Sequence, residues 1–234
     1  RAQAGARDGI RREDADAPTL AVENVDLALP GGTPLISGVN LALARGESAL
    51  LSGPSGAGKS TLIRAIAGIW PFGRGEIRVP RGPMLFLPQK PYLPIGTLRE
   101  VISYPTPAGG LPAGELNDQV LREVLEAVGL PELAGRLDEA GHWALQLSPG
   151  EQQRIAFARA LVQKPDWLFL DEATSAVDEA AETQLYQLVR DRLRGTAVLS
   201  VGHRSSLRAF HGRQLVVKLN GSAPASIVEV SVTS

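Results

Sequence analysis

The stretch Gly53-Pro54-Ser55-Gly56-Ala57-Gly58-Lys59-Ser60-Thr61 constrains this chain more than any other. It satisfies the Gly-x-x-x-x-Gly-Lys-Ser/Thr spacing of a loop that wraps a polyphosphate. Gly53, Gly56 and Gly58 let the backbone curl and bring its N–H groups against an anion, where a Cβ would clash. Lys59 supplies a mobile positive charge for the outer phosphates. Ser60 offers a hydroxyl to Mg²⁺, a cation that takes hard oxygen ligands. At ordinary residue frequencies, with Gly near 7%, the pattern arises by chance in about one in a hundred chains of this length. The flanks narrow the odds further. Glu47 to Ser52 reads as a strand entering the loop, and Leu62, Ile63, Ile66 and Ile69 recur at helical spacing behind it. A helix so placed turns its positive end toward the same anion. The competing reading is a glycine-rich turn between a strand and a helix.

The 234 residues suffice for one large domain or a domain with an inserted subdomain. With 24 basic and 25 acidic residues the net charge is −1, so no electrostatic footprint for nucleic acid is expected. The absence of cysteine excludes disulfides, thiol catalysis and Cys-ligated zinc, and is compatible with a reducing compartment. No apolar run reaches the length of a membrane span, and no stretch has the pattern of a signal peptide. A chain that begins at Arg1 rather than Met is expected to be a piece of a longer polypeptide, with any membrane helices elsewhere in the parent.

Residues 1–18 read as a polar linker or tail, with Asp8, Glu13, Asp14 and Asp16 diluting the arginines. Leu20 to Leu29 partly alternates, Pro30-Gly31-Gly32 is a turn, and Val39 to Leu43 alternates again, which predicts an antiparallel layer. Gly75 to Val79 is a short strand. Pro83 to Pro88 is an apolar run suited to a buried parallel strand that delivers Gln89. Prolines 91, 94, 105, 107 and 112 mark loops. Val120, Leu121, Val124, Leu125 and Val128 form a helical stripe that Gly129 terminates. A second helix is expected from about Gly150 to Gln163, so that a small helical subdomain occupies about 92–163. Trp167 to Leu170 is a buried strand ending in Asp171-Glu172, Glu179 to Arg194 an amphipathic helix, and Thr196 to Val201 a strand that delivers His203. Gln214 to Leu219 and Ser226 to Val232 are closing strands. There are no internal repeats.

Lys59, Gln89, Asp171 with Glu172, and His203 thus each follow a predicted strand. In an open α/β sheet, ligands bind beyond the carboxyl ends of the strands, so this placement points to one shared ligand. Asp171 is suited to hold Mg²⁺ beside Ser60. Glu172, pointing elsewhere, is suited to polarise an attacking water as general base. Gln89 is neutral and can sense metal or water without cancelling charge. His203 can hydrogen-bond a γ-phosphate or the attacking water. Taken singly, each has a plainer reading: an acidic helix cap, a loop glutamine, a surface histidine. His142 and His211 are read as structural or surface residues.

In order along the chain, Gly53 to Thr61, Gln89, Leu147-Ser148-Pro149-Gly150-Glu151-Gln152-Gln153-Arg154, Leu168 to Glu172, Ser175-Ala176-Val177-Asp178 and His203 resemble the motif set of ABC-type ATPase domains. These correspond to the Walker A loop, Q-loop, signature, Walker B strand, D-loop and switch histidine. The resemblance covers residues 19–234. Leu85 to Glu100 and Ser200 to Ser206 resemble one branch, the bacterial fused permease/ATP-binding transporters of the SbmA/BacA-like and YddA-like kind, similar in turn to peroxisomal family D. The fold implied is α/β: a P-loop NTPase (RecA-like) parallel-sheet core with an antiparallel β layer and an inserted α-helical subdomain. The function implied is binding and hydrolysis of ATP with Mg²⁺, held by Ser60, Gln89 and Asp171, to power transport through a membrane permease domain of the same parent. The implied location is the cytoplasmic face of the plasma (inner) membrane. A head-to-tail homodimer is implied, in which Ser148 and Gly150 touch the partner's γ-phosphate and Asp178 sits near the partner's phosphate loop. The rival readings are a soluble ABC ATPase with no membrane partner and an ATP-binding switch with little turnover. Two departures stand out. Pro149 lacks an N–H but suits a helix's first turn. Leu29 beside Pro30 stands where many members stack an aromatic on the adenine, so base stacking is expected to be weak.

Overall fold

A computed structural model describes residues 9–105 and 117–230. In chain order its first elements are β1 (Ile10–Ala15), β2 (Thr19–Ala28), β3 (Pro34–Ala44), β4 (Ser48–Ser52), α1 (Lys59–Ile66), β5 (Gly73–Pro80) and β6 (Met84–Pro88). There follow β7 (Gly96–Thr97), α2 (Leu98–Ser103), α3 (Asp118–Ala127), β8 (Ala140–Gly141), α4 (Trp143–Gln146) and α5 (Pro149–Gln163). The chain closes with β9 (Trp167–Asp171), α6 (Glu179–Arg192), β10 (Ala197–Val201), β11 (Arg213–Asn220) and β12 (Ala223–Val230). Short 3-10 turns cover Pro131–Leu133 and Ser205–Phe210. The described residues form two units. The first comprises 9–82, Leu199–His203 and 211–230; the second comprises 83–105, 117–198 and Arg204–Phe210.

In the first unit the strand order is β1-β5-β2-β3-β12-β11-β4, with the end of β10 beside β4. The predicted antiparallel layer is present: β2 pairs antiparallel with β3 and with β5. Leu20 and Val22 alternate in burial, as do Val25 and Leu27, with the parity switching at an irregularity in the ladder between Val22 and Val25. Strand β4 is different. Ala49, Leu50 and Leu51 are all buried, the run expected where both faces of a parallel strand are covered. It pairs parallel with β11. The linker expectation fails in part, because Ile10–Ala15 is a strand paired parallel with β5. Its residues are mostly polar, and backbone pairing along a sheet edge needs no apolar side chains. Residues 1–8, Pro107, Pro112 and the last residues of the second closing strand lie outside the described residues.

In the second unit β6 and β9 pair parallel through their whole length, from Met84↔Trp167 to Pro88↔Asp171. Phe86 and Phe169 stack 4.4 Å apart between them. The start of β10 joins β9's side, where Ala197 N–H donates to the Asp166 carbonyl at 2.8 Å. The helices gather on α5, which packs against α2, α3 and α6. The α3 stripe is buried at Leu121, Val124 and Leu125, and Gly129 follows it in a left-handed conformation with φ 79°, which glycine adopts without strain. Caps set the helix starts. Thr97 and Glu100 form a capping box on α2, Asn117 caps α3, and Ser148 and Glu151 form a second box on α5. Trp143, fully buried, donates its indole N–H to the Gly96 carbonyl at 3.0 Å. Ile69, read with the α1 stripe, falls outside that helix and is exposed, because the helix ends three residues earlier.

Gly53 marks where β4 gives way to the phosphate loop. Its φ is 141°, and a Cβ there would lie 2.8 Å from the Val217 carbonyl of β11. Gly53→Ala is therefore expected to destabilise the chain by about 1–3 kcal/mol, measured by urea denaturation; an unchanged midpoint would show that β11 yields freely.

Candidate functional site

The loop Gly53–Gly58 leaves β4 and enters α1 with Gly58 as N-cap, in a left-handed conformation. No side chain caps α1, whereas α2, α3, α5 and α6 each carry a side-chain cap. The start of a helix favours an anion. Lys59 is buried, and its Nζ donates to the carbonyls of Gly53 at 2.9 Å and Pro54 at 2.7 Å. These bonds hold the ammonium over the loop rather than out in solvent. Ser60 stands beside it in the first turn. Basic charge, N–H donors and a hydroxyl in one turn fit a phosphate with its magnesium ion.

His203 belongs to the same unit. Gly202 N–H donates to the Leu51 carbonyl at 3.4 Å, tying the end of β10 to the end of β4. His203 and the Gly53–Gly58 loop therefore leave neighbouring strands at the same end. Leu29, with 41% exposure, also lies in this unit. His211 is buried, its Nε2 2.8 Å from Ser200 Oγ, which agrees with a structural role. His142 is exposed at the start of α4.

In the second unit the β6–β9 register puts Pro88 opposite Asp171, so Gln89 and Glu172 are the next residues out from two adjoining strand ends. Glu172 has φ 51°, a left-handed conformation that costs a non-glycine residue about 1–2 kcal/mol. Asp171 ends β9 and the backbone leaves the strand conformation at Glu172. Strain of this kind persists where the surroundings impose it, and it clusters at functional sites.

The signature residues begin α5. Ser148 is its N-cap, and Pro149 sits in the first turn, where a missing N–H is harmless. Glu151 explains its own departure from the commonest signature: its carboxylate accepts from Ser148 N–H at 2.7 Å, while Ser148 Oγ accepts from Glu151 N–H at 3.3 Å. A hydroxyl that accepts one hydrogen bond still has its O–H to donate. Gly150 permits a close approach, since a Cβ there would lie 2.9 Å from the Ala176 carbonyl. Asp178 caps α6, accepting from Ala181 N–H at 2.8 Å, and is exposed.

Three chemical families of contact were not read from sequence. Gln153 bonds the Gln89 carbonyl and the Ser175-Ala176 segment. Arg204 donates to the Val177 carbonyl at 3.0 Å, and the buried Glu182 accepts from Thr174 Oγ1 at 2.6 Å and Ser206 Oγ at 3.0 Å. Arg159, buried on α5, donates to the Val101 carbonyl of α2 at 2.8 Å. Burial pushes its guanidinium down to about 10, which leaves it charged at neutral pH. A polar residue inside a helical stripe was the available signal in each case. Among the described residues no cluster of three His, Cys, Asp or Glu side chains could hold a metal.

Residues 36–175 match the family model described as ABC transporter. The chain belongs to the ABC transporter family. An uncharacterized ABC transporter ATP-binding protein of Haemophilus influenzae is 44% identical over 199 residues, 85% of this chain and 33% of that protein. The human lysosomal cobalamin transporter ABCD4 is 38% identical over 231 residues, 94% of this chain and 37% of the transporter. Among solved structures, a bacterial Atm1-family ABC exporter with ATP bound superposes with a TM-score of 0.71 at 27% identity, covering 91% of this chain and 39% of the exporter. The resemblance to family D is borne out, and the chain is an ABC ATP-binding domain that spans roughly a third of the curated relatives it matches. Among the described residues, no helix is long and apolar enough to cross a membrane.

The Glu172 kink yields a test of strain. Glu172→Asn and Glu172→Ala both remove the carboxylate, but Asn tolerates the left-handed region better. The Asn variant of this ABC domain is expected to be more stable than the Ala variant by about 0.5–1 kcal/mol, read from denaturant midpoints. Equal stability would mean that the kink carries no strain.

Proposed function

We propose that this chain hydrolyses MgATP and that two copies, packed head to tail, complete each other's sites. The observation that carries the proposal is the glycine-rich loop that opens α1, with Lys59 held over it by the Gly53 and Pro54 carbonyls. Lys59 and the loop N–H groups bind and orient the triphosphate. Ser60 and Asp171, with Gln89, would hold Mg²⁺, which when bound neutralises charge on the phosphate oxygens. Glu172 takes the proton of the attacking water as general base. His203 donates to the γ-phosphate and fixes its orientation. No covalent intermediate is required: catalysis is positioning plus charge stabilisation.

The dimer accounts for residues that one copy does not use. Ser148 is exposed and caps the start of α5, an arrangement that favours a phosphate presented by another copy. Gly150 and Asp178 would line the same seam. In the parent protein the domain is proposed to work at the cytoplasmic face of the inner membrane beside a permease domain. The relatives' greater length supports such a partner.

Glu172→Gln should keep ATP binding while lowering turnover at least a hundredfold, and should accumulate an ATP-dependent dimer in sedimentation velocity. Unchanged hydrolysis would remove Glu172 from the mechanism. Lys59→Ala should weaken ATP binding by tenfold or more in titration calorimetry; undiminished affinity would defeat the phosphate-loop reading.

A further inference from the structure

Gln153 sits five residues into α5 with only 1% of its surface exposed. Its side chain reaches two other stretches of backbone. Nε2 donates to the Gln89 carbonyl at 2.8 Å and to Ser175 Oγ at 3.1 Å. Oε1 accepts from Ala176 N–H at 2.9 Å. Both N–H groups and the carbonyl of the amide are thereby engaged. Of the twenty side chains only a primary amide supplies two donors and an acceptor from one planar group. A buried amide with every group satisfied holds its partners rigidly, and removing it strands several of them.

The stretches it joins matter. Gln89 leaves β6, and Ser175-Ala176 follow Glu172 by three and four residues. The carboxyl ends of β6 and β9 adjoin, but beyond Pro88↔Asp171 the strand ladder stops. From that point the Gln89 backbone and the loop after Glu172 run on without a shared ladder, and Gln153 replaces it. A second contact holds the same loop: Arg204 donates to the Val177 carbonyl at 3.0 Å and pairs with Glu182 at 3.4 Å. The α5 start also bears on the loop through Gly150. The two exposed stretches thus share one buried anchor on the helix that Ser148 begins.

We propose that Gln153 is a positioning residue for ATP hydrolysis, holding the Gln89 backbone and the Ser175–Ala176 loop in one register so that the Gln89 side chain and Glu172 address the same water. It acts through Gln89 and Glu172 and touches no nucleotide itself. This rests on the ATPase reading above.

Two variants of the full chain split the amide's halves. Gln153→Ala removes both. Gln153→Glu keeps an acceptor for Ala176 N–H but sets a carboxylate against the Gln89 carbonyl. In the Ala variant, turnover should fall at least tenfold while the ATP dissociation constant stays within twofold, and hydrogen exchange at the Ala176 amide should quicken at least tenfold. In the Glu variant that amide should stay protected, turnover should fall comparably, and the Mg²⁺ concentration for half-maximal rate should rise several-fold. Wild-type turnover and Mg²⁺ dependence in Gln153→Glu would overturn the proposal. So would a loss of ATP binding and thermal stability in step with turnover in both variants, which is what a purely structural glutamine predicts. A wild-type chain whose hydrolysis ignores Glu172→Gln would bring down the ATPase reading; a sensitive wild type with unaffected Gln153 variants would bring down this proposal alone.

Discussion

Register between parallel strands is the constraint on which the rest of this domain depends. A strand's side chains alternate faces with a period of two, so a slip of one residue sends every one of them to the opposite face. With Pro88 opposite Asp171, the apolar residues of β6 and β9 stay covered and the polar residues emerge together where the strands end. The same rule holds at β4 and β11, where Leu51 pairs with Leu215 and the loop begins two residues later. Apolar burial sets the register, and the register places the chemistry.

What leaves the strands is then held by hydrogen bonds rather than by burial. Lys59 is steadied by two loop carbonyls, Ser148 by its reciprocal box with Glu151, and the loop after Glu172 by Gln153 and Arg204. Such polar fastenings suit segments that must respond to a ligand, because each contributes modestly and can be exchanged. Glu172 is the exception. It is held in a strained conformation, and this preorganises a carboxylate that would otherwise follow the strand direction.

Much of this was legible from residue order. The alternation in Leu20 to Leu29, the continuous apolar runs at Ala49–Leu51 and Trp167–Leu170, and the α3 stripe each state their own burial. Other features used signals that were present and passed over. Thr97 with Glu100, and Ser148 with Glu151, are capping boxes by spacing alone. Asp178 before Glu179 is a helix start of the same kind. The strand at Ile10–Ala15 was hidden for a different reason: with no apolar alternation, its pairing with β5 is a backbone event that side chains do not announce.

Residue order alone determined the glycine-rich loop after β4, the apolar strand that ends in Asp171-Glu172, and the family, because those depend on residue types at fixed local spacing. Tertiary structure decided what spacing cannot express. It gave Gln153 partners 64 and 22 residues away, put the Gly150 backbone against the Ala176 carbonyl, and turned Glu172 out of its strand. A hydrogen bond between distant segments has no period and no neighbour rule; it exists only once the packed elements bring its donor and acceptor within reach.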